Sequence, residues 1–160
     1  MASKTRLKRS EKISPDWPVW YDPASPLGSA VRYVASLSGY FNWVGFYALK
    51  GKVLELGPYI GEPTPHRRIA VGKGVCGTAV KEDRDLNVPD VTRFEGYLAC
   101  NAVTRSELVV LVRDPKGRIL GQIDIDSRTP SAFGPEEEKM VRDVAAELGR
   151  LWPESGNRKS

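Results

Sequence analysis

The sequence predicts an α+β fold, an antiparallel sheet with helices packed on it. Three observations carry this expectation. In "SELVVLVRDPKGRILGQIDIDS" two β-branched runs flank Asp-Pro-Lys-Gly, which is turn chemistry between paired strands. "NWVGFYAL" and "VLELGPYIG" repeat the pattern around Gly51-Lys52. Segments with helical spacing of apolar residues stand before and after these hairpins, and a Gly-rich loop opening into a short helix stands between them. Strands joined by short turns pair antiparallel, and helices beside them must bury their apolar stripe against the sheet.

Taken in order, residues 1–25 are polar or Pro-rich and read as an extended basic arm, with Trp17, Trp20 and Tyr21 available to dock on the body. In "PLGSAVRYVASLSGY" Leu27, Val31, Val34 and Leu37 fall near helical spacing, and Pro26 suits the first turn. The first hairpin follows. "HRRIAVGKGVCGTAVKED", with glycines at 72, 74 and 77, reads as a loop opening into a short helix. "LNVPDV" is a short strand that Pro89 confines to an edge or an end. The second hairpin comes next. "PEEEKMVRDVAAELGRLW" is a helix with acids in its first turn, favourable to the helix dipole, and an apolar stripe of Met140, Val141, Val144, Leu148 and Leu151. The organisation expected is an arm over 1–25, one folded domain over 26–153 and a tail over 154–160.

A chain of 160 residues suffices for one domain with a single core. Its 41% hydrophobic and 28% charged residues fit an ordinary globular protein. No apolar run approaches the ~20 residues that span a bilayer, and the charged N-terminus lacks the apolar stretch of a secretory signal. Two cysteines do not make a disulfide-dense scaffold, so a cytoplasmic location is expected, with the thiols free, redox-active or metal-binding. Neither CxxC nor HxxxH spacing occurs, which argues against a dedicated zinc site. The net charge of +4 resides in the arm, where Lys4, Arg6, Lys8, Arg9 and Lys12 stand against Glu11. Such an arm either binds nucleic acid or anionic lipid or is a solvated tail; with no aromatics among its charges the tail is favoured, and neither a nucleic-acid nor a membrane partner is expected.

Side chains alternate faces along a strand. In "ILGQIDIDS" this places Ile119, Gly121, Ile123 and Ile125 on one face, read as core, and Leu120, Gln122, Asp124 and Asp126 on the other. The two carboxylates are then about 7 Å apart along the strand. They are either incidental acids on a solvated face or a functional pair, since clustered like charges are costly without a cation. In "NWVGFYAL", Trp43, Gly45, Tyr47 and Leu49 share a face. Gly45 leaves either a ligand gap with aromatic walls or packed core with a bulge. Cys100 lies in the polar loop "GYLACNAVTRSE", from Gly96 to Glu107, among Asn101, Thr104, Arg105 and Ser106. It is either a small buried residue or an accessible thiol beside a cation. Cys76, in "GKGVCGTA", stands near a helix N-terminus, which lowers a thiol pKa; alternatively it is a small buried residue in a Gly-rich turn.

Taken together, "NWVGFY", "LGPYIGEP", "GKGVCGTAV", "VPDV", "YLACNAVTRSE" and "LGQIDIDS" resemble the GAF domains, and within them the free methionine-(R)-sulfoxide reductase family. The resemblance covers roughly residues 27–152. It implies a GAF-like antiparallel sheet and the reduction of free methionine-(R)-sulfoxide through a cysteine sulfenic acid and a disulfide. It implies Cys100 as the nucleophile, Glu107, Asp124 and Asp126 as the acidic substrate-binding cluster, and Trp43 and Tyr47 as the aromatic wall. Cys76 matches a further cysteine of the family. His66 stands where the family carries a third, resolving cysteine, which leaves Cys76 as the thiol available to close a disulfide with Cys100. Thioredoxin is the implied reductant, a homodimer is common in the family, and neither cofactor nor metal is implied. The same fold also admits a non-catalytic module that binds a small molecule or senses redox state.

Overall fold

The computed structural model describes residues 26–99 and 102–152. Helix α1 (Pro26–Ser36) leads into strands β1 (Trp43–Lys50) and β2 (Val53–Ile60), then the short strand β3 (Arg68–Ala70) and helix α2 (Gly74–Glu82). Strand β4 (Leu86–Val88) and a 3-10 turn (Val91–Arg93) precede strands β5 (Ser106–Arg113) and β6 (Ile119–Ser127), and helix α3 (Pro135–Leu151) completes the order. The strands form one antiparallel sheet in the order β3-β2-β1-β6-β5-β4. Both hairpins expected from the sequence form, with Gly51 at φ 62° in the first turn and Gly117 at φ 83° in the second. The edge position of β4 follows from Pro89, which has no N–H to extend the ladder.

Two cores sandwich the sheet. On one face α1 and α3 lay Ala30, Val31, Val34, Val141, Val144 and Leu148 against Val44, Phe46, Leu108, Val110, Ile123 and Ile125. These side chains are aliphatic or aromatic throughout, and burying each Val, Leu or Ile stabilises by about 1.5–3 kcal/mol. The α3 stripe is narrower than its sequence implies, since Met140 and Leu151 are only half-buried while Ala145 and Gly149 are buried. Gly149 is required there, because a Cβ would overlap the Arg113 carbonyl oxygen. On the other face α2 covers Trp43, Tyr47, Val109 and Leu111 with Val75, Cys76 and Ala79.

Two departures from the sequence reading concern β3 and β6. Strand β3 is an added edge, three residues long and too short to announce itself by alternation. In β6 the pairing shifts between Val112↔Gly121 and Arg113↔Ile119, so one residue is extra. Leu120 therefore joins the helix-covered core with Ile123 and Ile125, and Ile119 turns to the opposite face, the reverse of strict alternation. The basic residues of the arm, its aromatics Trp17, Trp20 and Tyr21, and the residues Cys100 and Asn101 lie outside the described residues.

Candidate active site

Strand register assembles the site. Asp126 of β6 is flanked by Trp43 of β1 and Glu107 of β5, and Asp124 is flanked by Gly45 and Val109. One row further along, Gln122 lies between Tyr47 and Leu111. Trp43, Tyr47, Glu107, Asp124 and Asp126 thus share the sheet face that α2 covers. None of the acids is solvated: Glu107 is 5% exposed, Asp124 1% and Asp126 3%. The reading of incidental surface carboxylates is excluded by this burial.

The gap expected at Gly45 is filled from within. The Trp43 indole folds over it, so that a Cβ at Gly45 or Gly61 would overlap the ring. The indole stacks on Tyr59 with ring centroids 5.4 Å apart and stands 6.3 Å from Tyr47. The pairing of β1 with β2 shifts register between Gly45 and Tyr47, so the packed, bulged alternative is what forms. Trp43 Nε1–H donates to the Glu62 carbonyl at 3.0 Å, and the Tyr47 hydroxyl donates to the His66 carbonyl at 2.8 Å. Both aromatics are therefore fixed at their polar ends, presenting rigid apolar walls.

Cys76 enters this face from α2. Its thiol is free and buried, and it donates to Glu107 Oε1 at 3.8 Å. One potential ligand atom each from Cys76, Glu107 and Asp124 lie within 4.8 Å of one another. Burial pushes the thiol well above its ordinary pKa, and the Asp124, Glu107 and Asp126 carboxylates push it further in the same direction. This corrects the expectation of a helix N-terminus lowering that pKa: removal from water beside three acids outweighs the partial charge of one helix end. Burial also raises Asp124, against hydrogen bonds with Glu107 and Cys76 that lower it. Asp126 lies well above the carboxylate range, through burial first and then the neighbouring Asp124 charge.

Gln122, fully buried, was not singled out as a site residue by the sequence, although it stands on the acid-bearing face. Its Nε2 donates to the Cys76 carbonyl at 3.0 Å and ties β6 to the start of α2. Among the described residues, Gln122 Oε1, Asp124 Oδ1 and Asp126 Oδ1 have no hydrogen-bond partner. His66 is half-buried, and its Nε2 lies 3.2 Å from the Ala99 carbonyl oxygen, one residue before Cys100. A cavity of about 30 Å³, lined by Asn42, Trp43, Glu62, Thr64, Thr104 and Asp126 among others, adjoins the cluster. A larger groove of about 530 Å³ lies at the opposite end of β5, beside Arg113 and α3. There Arg113 pairs with Asp83 at 2.6 Å and Arg142 with Asp85 at 3.0 Å, so the charges beside this groove neutralise one another.

The antiparallel sheet, helices on both faces and a buried polar cluster under the short helix define the class. The chain belongs to the GAF domain family, whose sequence model matches residues 26–151. It is similar to the free methionine-R-sulfoxide reductase of Escherichia coli, 42% identical over 110 residues, which cover 69% of this chain and 66% of that protein, just under two thirds of its length. It is likewise similar in structure to the type II free methionine-R-sulfoxide reductase of Thermoplasma acidophilum, at 38% identity and TM-score 0.72, over 76% of this chain and 86% of that one. The free methionine-R-sulfoxide reductase of Neisseria meningitidis in complex with its substrate matches at 32% identity and TM-score 0.69, over 77% and 73% of the two chains. Among the described residues no helix is long and apolar enough to cross a membrane.

Proposed function

We propose that this chain reduces free methionine-(R)-sulfoxide to methionine. The observation that carries the proposal is the buried row Trp43–Asp126–Glu107 with Asp124 beside it, an acidic cluster next to aromatic walls on one sheet face. The names of the relatives point the same way. A free amino acid brings an ammonium, and buried carboxylates are its natural partners. Its S-methyl group rests on the aromatic faces of Trp43 and Tyr47. The sulfoxide oxygen needs a proton before it leaves sulfur. Asp126, whose pKa is raised by burial and the neighbouring Asp124 charge, is the acid best suited to supply that proton, leaving Asp124 and Glu107 for the ammonium.

Cys100 is the nucleophile in this reading, carried on the segment that runs directly into the strand of Glu107. Its sulfur attacks the sulfoxide sulfur and takes the oxygen. The thioether methionine leaves, and Cys100 becomes a sulfenic acid, so sulfoxide reduction is balanced by two-electron oxidation of the thiol. Cys76 is the second thiol. Its condensation with the sulfenic acid releases water and forms a disulfide, which thioredoxin or another dithiol reduces. Cys76 must first leave its carboxylate partners, and the two Cα atoms must come within about 7 Å.

Turnover with separated R and S epimers of free methionine sulfoxide, and with a peptide-bound sulfoxide, tests the proposal. Methionine is expected from the free R epimer, with little from the other two and none after Cys100→Ser. Equal rates on free and peptide-bound substrate would refute the ammonium-binding role of the acids. Binding of the free amino acid with no turnover would make the protein a small-molecule-binding module.

A further inference from the structure

The cluster beneath α2 has a composition that an ammonium ligand does not explain. An ammonium donates hydrogen bonds and is best met by oxygen acceptors, which Asp124, Asp126 and Glu107 supply. A thiol in the same cluster is a weak acceptor, and as S–H it offers a hydrogen where the ammonium also has hydrogens to offer. A thiol beside two carboxylates is instead a mixed sulfur and oxygen donor set for a cation of intermediate softness.

We propose that Cys76, Glu107 and Asp124 form a binding site for a zinc-like divalent cation. The three ligand atoms lie within 4.8 Å of one another. A tetrahedral ion bound at about 2.3 Å to sulfur and about 2.1 Å to oxygen sets its ligands about 3.6 Å apart. The 3.8 Å between Cys76 Sγ and Glu107 Oε1 already meets that spacing, and the widest separation needs to close by only about an ångström.

A second set of groups, outside that triad, points to the same ligand. Gln122 is fully buried, its amide is held beside Cys76 by the bond to the Cys76 carbonyl, and its Oε1 has no hydrogen-bond partner among the described residues. Asp126 Oδ1 is similarly buried and without a partner. Neither Asp124 nor Asp126 belongs to a salt bridge among the described residues. Buried oxygens left this way cost stability, and a cation offsets that cost. Binding displaces the thiol proton to solvent and involves no change of oxidation state. The ligands come from α2, β5 and β6, so no local spacing of Cys and His in the sequence announces them.

Metal and substrate compete for Glu107 and Asp124, and the metal also engages the Cys76 thiol, but metal binding is measured without turnover, so its failure leaves the reductase reading standing. Cobalt(II), a spectroscopically visible substitute for zinc, is titrated into the reduced full chain, and the thiolate-to-cobalt charge-transfer band is followed. One equivalent should produce the band. Cys76→Ser should abolish it, Asp124→Asn should weaken binding by about tenfold or more, and Cys100→Ser should leave both band and affinity intact. In the wild-type chain, zinc should protect Cys76 from alkylation, mapped by mass spectrometry, which needs no variant to fold. A band that survives Cys76→Ser and disappears in Cys100→Ser would overturn the site. So would undiminished alkylation of Cys76 at millimolar zinc.

Discussion

Asp126 concentrates the conflict between stability and chemistry in a single side chain. It is 3% exposed and faces both Asp124 and Glu107. Because its pKa is raised in the folded chain, at neutral pH the folded protein either bears a desolvated charge or retains a proton that the unfolded chain releases. Both cost stability, and an uncharged amide removes the cost. Asp126→Asn should therefore raise the melting temperature, by about 2–4 °C for each kcal/mol recovered in a chain of this size. The same change should lower kcat/KM for methionine sulfoxide by about 100-fold or more, the scale of a lost general acid. Melting curves beside turnover separate the two effects, and a lower melting temperature with unchanged turnover would make Asp126 structural. Gly45 sets the opposite kind of constraint. With the Trp43 indole lying over it, Gly45→Ala must displace the ring, and denaturant titration should show a loss of about 1–3 kcal/mol. On the proposed mechanism Cys76→Ser retains the nucleophile Cys100, so with thioredoxin as reductant the variant should release about one methionine per chain and then stall. Continued turnover would remove Cys76 from the resolving step.

At the scale of the elements, the two sides of the sheet have different tasks. Helix α3 buries Val141, Val144, Ala145 and Leu148 in a face without charge, and Glu137 Oε2 accepts from the Gly134 N–H at 3.0 Å at its N-terminus. Leu148, 1% exposed, packs in the core on the sheet face opposite the acids, and Leu148→Ala should cost about 2–5 kcal/mol in chemical denaturation while the folded fraction keeps its affinity for methionine sulfoxide. Helix α2 is different. It covers the polar face with short side chains, and only Val75, Cys76 and Ala79 of its residues pack there as buried hydrophobes. Helices α1 and α3 were legible because their apolar stripes repeat at helical spacing over 11 and 17 residues. Strand β3, with three residues, offers too little sequence for any period to register.

For the whole molecule, stability rests on the two cores rather than on surface charge. The ion pairs among the described residues have one well-exposed partner, as in Lys139–Asp143, exposed by 65% and 41%, and in Arg118–Asp114, exposed by 58% and 8%, so their contribution is small and screened. Raising ionic strength to about 1 M, where the screening length falls to about 3 Å, should shift the melting temperature by no more than a degree or two. A larger drop would show that surface pairs matter more than their exposure indicates. The buried carboxylates Glu107, Asp124 and Asp126 are instead gathered between α2 and the sheet, where water is excluded and each charge interacts strongly.

Local pattern decided the α+β class, the two hairpins, the edge placement of β4 and the shared face of Asp124 and Asp126, because period and turn chemistry act between residues a few positions apart. It could not decide which side of the sheet α2 would cover. That choice turned two acids on one strand into a buried cluster, brought Cys76 to Glu107 across 31 residues and set Gln122 against the Cys76 backbone across 46. It also reversed the direction in which the thiol titrates. The bulge that exchanged Ile119 and Leu120 was settled in the same way, by pairing with β5 rather than by anything within β6. Burial and register belong to contacts between distant segments, and it is burial, by removing water, that gives these carboxylates and this thiol their chemistry.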